Sequence, residues 1–350
     1  MRHSTTRSRG LTVLSLVVTA ALALGACSAE GDSSSGDTTE MTIVSLPGEV
    51  YVLEKVAKEQ GFYEDNDLDV TLIAPQNGAS GARQLLLGGS VQGWPGNPAT
   101  VLQDSAKGFD VKLAGMIKNF IPFQLQVRED SDLAAVEGDY VAKIKALKGK
   151  VIGLTGLGSL PQQIMETALG EAGMTAKDVT FVGVGLDTAG IAALQKKRID
   201  AYFTFSYVSA DAVQEQADAV KYLGMADEDA PPTMQTFSNW TLASSGEFAE
   251  KSPEALEGWA KAIRQAYAWV KENPQDAAKI VSDQDFKGQK AEELSGWIEQ
   301  LTAGEQDADL LVDREVLQAE IDALRSAGAL PTSDTGLTYD DLVPSFAAQK

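Results

Sequence analysis

Short apolar runs rich in β-forming residues alternate with helical patterns from residue 41 onward. Met41–Leu46 has the composition of a strand. Glu49–Gln60 follows with apolar side chains at helical spacing, and Gly61 ends it. The alternation continues with strand Leu68–Ile73, a helix around Arg83–Leu87, strand Val91–Trp94, helix Pro98–Lys107 and strand Asp110–Ile117. Such a pattern is typical of parallel sheets covered by helices on both faces.

A second series begins after Phe123–Val127. It predicts strand Val151–Thr155, helix Gln162–Ala172, strand Val179–Val184, helix Ala189–Lys197 and strand Ala201–Thr204. The acidic stretch Asp227–Pro232 precedes a further strand, Gln235–Ala243. The remainder is helical, with helices predicted from Pro253 (capped by Ser252) to about Asn273, at Ala291–Leu301 and at Arg314–Ala327. We therefore expect two lobes, residues 41–126 with 240–350 and residues 127–239.

The N-terminal segment has the features of an export signal. Arg2, Arg7 and Arg9 precede an apolar run at 11–24, which is too short for a membrane-spanning helix of about 20 residues. The run ends at Leu24–Cys27, which resembles the lipobox of bacterial lipoproteins, where the cysteine is diacylated. An ordinary cleavage site that happens to lie near a cysteine is the alternative. We expect residues 1–26 to be a signal peptide and Cys27 to carry lipid.

Residues 27–40 are rich in Ser, Gly and Asp and predict a flexible tether, so the protein should be held at the outer face of the cytoplasmic membrane. Three of the 29 basic residues lie in the signal and all 50 acidic residues lie after it. The formal net charge of the chain after the signal is therefore 26 − 50 = −24. This charge repels nucleic acid and anionic lipid head groups, so contact with the membrane is expected through the lipid alone.

The single histidine, His3, and the single cysteine, Cys27, both lie in the N-terminal segment. The mature chain therefore cannot build a Ser-His-Asp or Cys-His nucleophile, nor a zinc site of His and Cys. Carboxylate acid–base chemistry and magnesium stay open. The acidic run Glu64–Asp69 lacks the glycine of a calcium loop and favours a solvated turn. The turn at Gly156–Pro161 lacks the third glycine of a dinucleotide fingerprint. No cofactor or metal is expected.

Several stretches together resemble one family, the periplasmic-type binding proteins for nitrate, sulfonates, taurine and thiamine pyrimidine precursors. In chain order they are Tyr51–Tyr63, Asp67–Val70, Leu147–Ser159, Ala193-Leu194 with Ile199–Ala201, Pro253-Glu254 and Tyr339–Leu342. The resemblance covers most of residues 41–346. It implies an α/β, type II-like periplasmic-binding-protein fold of two lobes, joined by two crossover strands, with a ligand cleft between them. It further implies a monomer that delivers a small molecule to an ABC permease and its ATPase, and no catalysis.

Ligands of open α/β sheets bind beyond the carboxyl ends of strands. The turn with Thr155, Gly158 and Ser159 offers hydroxyls and a glycine backbone at such a place, although Ser159 as a plain helix cap is nearly as good an interpretation. Trp94 ends a strand, where its ring can cover a bound solute, and Asn97 follows it. Tyr51, Phe120 and Tyr207 are weaker candidates, and core packing is the alternative for each aromatic residue. Trp259, Trp269 and Trp297 are expected in the core.

The candidate loops carry aromatic and amide side chains but few cations, with Lys118 the main exception. This favours an organic solute, sulfonate-like or pyrimidine-like. Two other functions stay open. One is a ligand-sensing lipoprotein that docks on a receptor. The other is an enzyme of pyrimidine synthesis on the same fold, whose chemistry would depend on the histidine and cysteine that the mature chain lacks.

Overall fold

The computed structural model describes residues 38–117, 123–158, 160–204, 206–225, 227, 230, 237–238, 240–302, 309–326, 328–333 and 336–349. The predicted signal, Cys27 and nearly all of the predicted tether lie outside these residues. No helix among them is long and apolar enough to cross a membrane.

The first sheet combines four strands of the first α/β series with one strand that follows the second series. Its order is β2-β1-β3-β10-β4, with β1 (Thr39–Val44), β2 (Leu68–Ile73), β3 (Gly93–Gly96), β4 (Val111–Ile117) and β10 (Trp240–Ser245). Strand β1 pairs parallel with β2 and β3, whereas β10 pairs antiparallel with β3 and β4.

The second sheet has the order β7-β6-β8-β5-β9, with β5 (Gln124–Arg128), β6 (Val151–Leu154), β7 (Thr180–Gly183), β8 (Ala201–Thr204) and β9 (Ala219–Gly224). Strand β5 is antiparallel to β8 and β9. The parallel pairing expected from the alternation is therefore found in part of each sheet, and each sheet also contains antiparallel pairs. Strand–helix alternation implies parallel pairing only between strands of one sheet. Each of β5 and β10 is instead the first strand after the chain crosses over from the other sheet, and each pairs antiparallel with its neighbours. Residues 124–126, which we placed in the first lobe, pair in the second sheet, and β9 was not predicted.

Helices cover both sheets. Those of the first α/β series are α1 (Val52–Glu59), α2 (Gly78–Leu87) and α3 (Pro98–Ala106), and those of the second are α4 (Tyr140–Ala146), α5 (Leu160–Glu171), α6 (Asp187–Gln195) and α7 (Tyr207–Ala217). The helical return contains α8 (Gly246–Lys251), α9 (Pro253–Glu272), α10 (Pro274–Phe286), α11 (Ala291–Thr302), α12 (Arg314–Ser326) and α13 (Tyr339–Leu342).

Helix α9 packs closely against the first sheet. Trp259 is fully buried, as expected, and a Cβ added to Gly93 of β3 would lie 2.7 Å from its ring. Only glycine at position 93 therefore lets the indole reach the sheet. The acidic run after α1 forms a short 3-10 turn, Glu64–Asn66, with no buried residue, which agrees with the solvated turn expected there.

Candidate functional site

A cavity lies between the two sheets, with about 770 Å³ of empty space including its open mouth. Its walls come from the ends of β1, β3 and β6 and the first turns of α2, α3 and α5, which is where open α/β sheets bind ligands. The lining side chains on the first-sheet side include Leu46, Tyr51, Asn77, Ser80, Arg83, Trp94, Asn97 and Thr100, and those on the second-sheet side include Phe123, Thr155, Leu160, Pro161 and Leu186.

Two aromatic side chains build the first-lobe wall. Tyr51 and Trp94 are both almost fully buried, and both line the cavity. The indole of Trp94 lies over the backbone of Gly96, where an added Cβ would be 2.7 Å from the ring. Burial raises the pKa of Tyr51, an effect that the neighbouring Trp94 side chain partly offsets, so the phenol stays protonated at neutral pH. The wall is thus a flat, neutral surface.

Asn97 has a clear structural role in addition to its place in the cavity lining. Its Oδ1 accepts a hydrogen bond from the backbone N–H of Thr100 at 2.9 Å, and Pro98 occupies the first turn of α3. This is an N-cap, which fixes the side-chain position at the cavity wall.

On the second lobe, Thr155 and Gly158 line the cavity. Gly158 has φ of +73°, and its N–H donates to Gln162 Oε1 at 2.9 Å. This amide is therefore already bonded within the protein. The two lobes come close here, since a Cβ added to Gly156 would lie 3.0 Å from Ser80 Oγ of α2. Ser159, Phe120 and Lys118 lie outside the described residues.

Tyr207 is not among the residues that line this cavity. Its ring stacks on Trp297 of α11 with centroids 4.3 Å apart, and its N–H donates to Glu49 Oε1 at 2.9 Å. Trp297 was expected in the core, but it is only half-buried, and its Nε1 donates to Asp211 Oδ2 of α7 at 3.0 Å. These three contacts join the second lobe to the first, and we call them the α7–α11 clasp.

Replacing Tyr207 with alanine is expected to loosen this clasp, because the stacking that it removes contributes about 0.5–1.5 kcal/mol beyond simple burial. The equilibrium between separated and closed lobes should shift by about 2- to 10-fold. Hydrogen–deuterium exchange of peptides within residues 206–217 should accelerate by a similar factor. Tyr207→Phe, which keeps the stacked ring, should exchange like the wild type. Unchanged exchange in Tyr207→Ala would show that the stacking does not hold the lobes together.

A buried cation lies beneath the aromatic wall. Lys55 Nζ is 3.3 Å from Asp285 Oδ2 and donates to Ser45 Oγ at 3.0 Å and to the Leu46 carbonyl at 2.8 Å. Burial lowers the pKa of Lys55, while Asp285 acts to raise it. Burial also raises the pKa of the adjacent Glu54 to about 8, so this carboxyl is mostly protonated at neutral pH. This buried group could not be predicted from the sequence, since Lys55 and Glu54 both lie off the apolar face predicted for α1.

A second ion pair borders the cavity directly. Arg83 of α2 lines it, and Nε donates to Asp104 Oδ1 at 2.9 Å and to Oδ2 at 2.7 Å, while Nη2 also contacts Oδ1. The Asp104 side chain is 3% exposed and that of Arg83 is 31% exposed. The hydrogen bonds to Asp104 raise the pKa of Arg83. Arg83 was missed because one arginine in a helical pattern is usually solvated.

The family model described as "NMT1/THI5 like" matches residues 53–277. The formylaminopyrimidine-binding protein of Halalkalibacterium halodurans is 25% identical over 285 residues, which is 77% of each chain. The yeast 4-amino-5-hydroxymethyl-2-methylpyrimidine phosphate synthase THI11 is 26% identical over 256 residues, or 69% of this chain and 68% of the synthase.

Among solved structures, the alkanesulfonate-binding protein SsuA of Xanthomonas axonopodis pv. citri, bound to MOPS, superposes with a TM-score of 0.65. It shares 16% identity and covers 85% of this chain and 96% of its own. This likeness confirms the two-lobed, type II-like periplasmic-binding-protein fold expected from the sequence. Because the family model matches more than half of its length, the chain belongs to the NMT1/THI5-like family.

Proposed function

We propose that this protein is the extracytoplasmic solute-binding component of an ABC importer, anchored by lipid on Cys27. It captures a small, flat organic solute, sulfonate-like or pyrimidine-like, and carries out no chemistry on it. The observation that carries this proposal is the interlobe cavity, where the rings of Tyr51, Trp94 and Phe123 accompany the hydroxyl and amide groups of Asn77, Ser80 and Thr155. Apolar walls with a few placed polar groups are typical of small-molecule sites.

The comparisons support a binding role, since one curated relative is named as a formylaminopyrimidine-binding protein and a structural neighbour as an alkanesulfonate-binding protein. The yeast relative, named as a synthase, favours a second candidate, an enzyme on the same fold. The composition weighs against it, because His3 and Cys27 are the only residues of their types and both precede residue 38, the first that the structure describes. The cavity therefore has neither an imidazole nor a thiol to supply general-base or nucleophilic catalysis.

The test is a thermal-unfolding screen of the full chain in mild detergent, followed by intrinsic tryptophan fluorescence. The screening library contains pyrimidines, aromatic acids, sulfonates and nitrate. A solute present at about 100 times its Kd should stabilise the folded state by about 2.7 kcal/mol. It should be recovered unchanged afterwards, as shown by mass spectrometry. A chemically altered solute would favour the enzyme, and a library with no stabilising solute would contradict the proposal.

A further inference from the structure

We infer that the α7–α11 clasp is a latch that sets how long a solute stays bound, and that Glu49 is the residue that couples this latch to the cavity wall. Glu49 is a positioning residue, because it acts through Tyr51, which lies two residues along the chain and lines the cavity. The inference rests on the proposed function, since it assumes that the interlobe cavity holds a solute.

The clasp joins elements of different lobes outside the solute cavity. Helix α7 packs on strands of the second sheet, whereas α11 packs on α9 and α10 of the first lobe. The half-buried rings of Tyr207 and Trp297 stack between these helices, and Trp297 also donates to Asp211. None of these three residues is among those that line the solute cavity. Separating the lobes must therefore break contacts that the solute itself does not make.

A second cleft borders both the clasp and the solute cavity. It has about 800 Å³ of empty space including its mouth, and it shares Leu46 and Leu186 with the lining of the solute cavity. Its other lining residues include chain neighbours of two clasp residues, namely Gly48 beside Glu49, and Ser206 and Val208 on either side of Tyr207. The lobes are therefore not packed continuously from the cavity to the clasp, and the clasp is a separate contact between them.

The turn at residues 46–51 connects the clasp to the cavity wall. The first lobe holds this turn at two points. Lys55 Nζ donates to the Leu46 carbonyl, and the Gly48 N–H donates to Asp285 Oδ2, both at 2.8 Å. These bonds fix the beginning and the middle of the turn, but not its end at the aromatic wall.

The end of the turn is held from the second lobe. Glu49 is fully buried, and its Oε1 accepts a hydrogen bond from the Tyr207 N–H at 2.9 Å. Glu49 and Tyr51 belong to one 3-10 turn of three residues, which is too short to absorb a shift of Glu49 without moving Tyr51. Closing the clasp therefore fixes Tyr51 in the wall, and by reciprocity a solute on this wall favours the closed clasp.

The test follows solute dissociation by stopped-flow tryptophan fluorescence on the full chain in mild detergent. The probes are 4-amino-5-hydroxymethyl-2-methylpyrimidine and MOPS, and a solute that stabilises the protein in the screen replaces them if neither binds. Tyr207→Ala should raise the dissociation rate about 2- to 10-fold, which corresponds to the loss of one aromatic stack. The association rate constant should not change, because the clasp closes after the solute has bound. Tyr207→Phe keeps the ring and the N–H and should release the probe at the wild-type rate.

A double-mutant cycle distinguishes a latch from a general loss of structure. Trp297→Ala removes the same stack from the other lobe and should raise the dissociation rate by the same factor. The Tyr207→Ala/Trp297→Ala variant should release the probe no faster than either single variant.

The role of Glu49 is tested with two further variants. Glu49→Ala should raise the dissociation rate about 10-fold, since it removes a buried hydrogen bond to a charged group. Glu49→Gln keeps a side-chain oxygen that can accept the Tyr207 N–H, so it should recover part of this loss. In the absence of solute, hydrogen–deuterium exchange of peptides within residues 46–59 should also accelerate in Tyr207→Ala, while peptides within residues 111–117 of β4 should exchange as in the wild type.

Wild-type dissociation rates in both Tyr207→Ala and Trp297→Ala would overturn the inference and leave the proposed function standing. Additive increases in the double variant would also overturn it, because they would show that the two rings act independently. Equal dissociation rates in Glu49→Ala and the wild type would overturn the coupling to Tyr51. If neither probe nor any solute of the library binds, the proposed function fails and this inference fails with it.

Discussion

Replacing Trp94 with alanine is expected to weaken solute binding by about 30- to 1,000-fold, because a large aromatic anchor in a desolvated cavity contributes about 2–4 kcal/mol to binding. The indole is 2% exposed and forms much of the flat first-lobe wall. Titration calorimetry with the stabilising solute of the screen measures the loss.

The same substitution should also lower the free energy of unfolding by about 3–5 kcal/mol, since it leaves a cavity in the core. Trp269→Ala is the matched control: Trp269 lies on α9, is only partly buried and does not line the cavity, so solute affinity should stay unchanged. Trp94→Phe keeps a flat ring and should lose less affinity than Trp94→Ala.

Gly96→Ala should weaken binding as well, because the new methyl group would displace the indole. Wild-type affinity in Trp94→Ala would show that the solute does not contact this wall.

The position of the cavity could be predicted from the sequence because it follows from strand direction. Tyr51, Trp94, Asn97, Thr155 and Gly158 lie at the ends of predicted strands or the starts of the helices that follow, and the structure places all five around one cavity. That they hold a ligand stays a prediction. Tyr207 satisfies the same rule, since it follows β8, yet its ring stacks on Trp297 of the helical return. Strand ends alone do not show which of them a later helix will cover.

The charged groups of the site could not be predicted from the sequence. Arg83 and Lys55 lie in helical patterns where a charged side chain usually faces solvent. Each is buried or half-buried through a partner on another helix, Asp104 on α3 and Asp285 on α10. Local periodicity reports the apolar face of a helix, but it carries no information about which distant carboxylate will be packed against the remaining faces.

Replacing Asp285 with alanine is expected to lower the free energy of unfolding by about 3–5 kcal/mol at pH 7, because it leaves a buried ammonium without its counter-ion. The Lys55 side chain is 4% exposed, and Asp285 also accepts a hydrogen bond from the Gly48 N–H at 2.8 Å. Asp283→Ala is the control, two residues away on the same helix. Asp283 forms an exposed i,i+4 pair with Lys279, and such a pair contributes about 0.3–0.5 kcal/mol. Denaturant unfolding monitored by far-UV circular dichroism gives both values.

The pH dependence of this loss identifies its cause. Burial lowers the pKa of Lys55 in the folded state, and Asp285 opposes that shift, so removing Asp285 lowers the pKa further. The unfolded chain binds one more proton than the folded chain at pH values between the folded-state pKa of Lys55 and about 10.4, the pKa of a free lysine. This pH range is wider in the variant than in the wild type. Stability of Asp285→Ala should therefore rise relative to the wild type as the pH increases from the folded-state pKa of Lys55 in the variant to that in the wild type. Lys55→Met in the Asp285→Ala background should restore part of the lost stability and abolish this rise. If Asp285→Ala loses the same free energy of unfolding at every pH, the cause is lost packing or the lost Gly48 hydrogen bond, and not an unpaired charge.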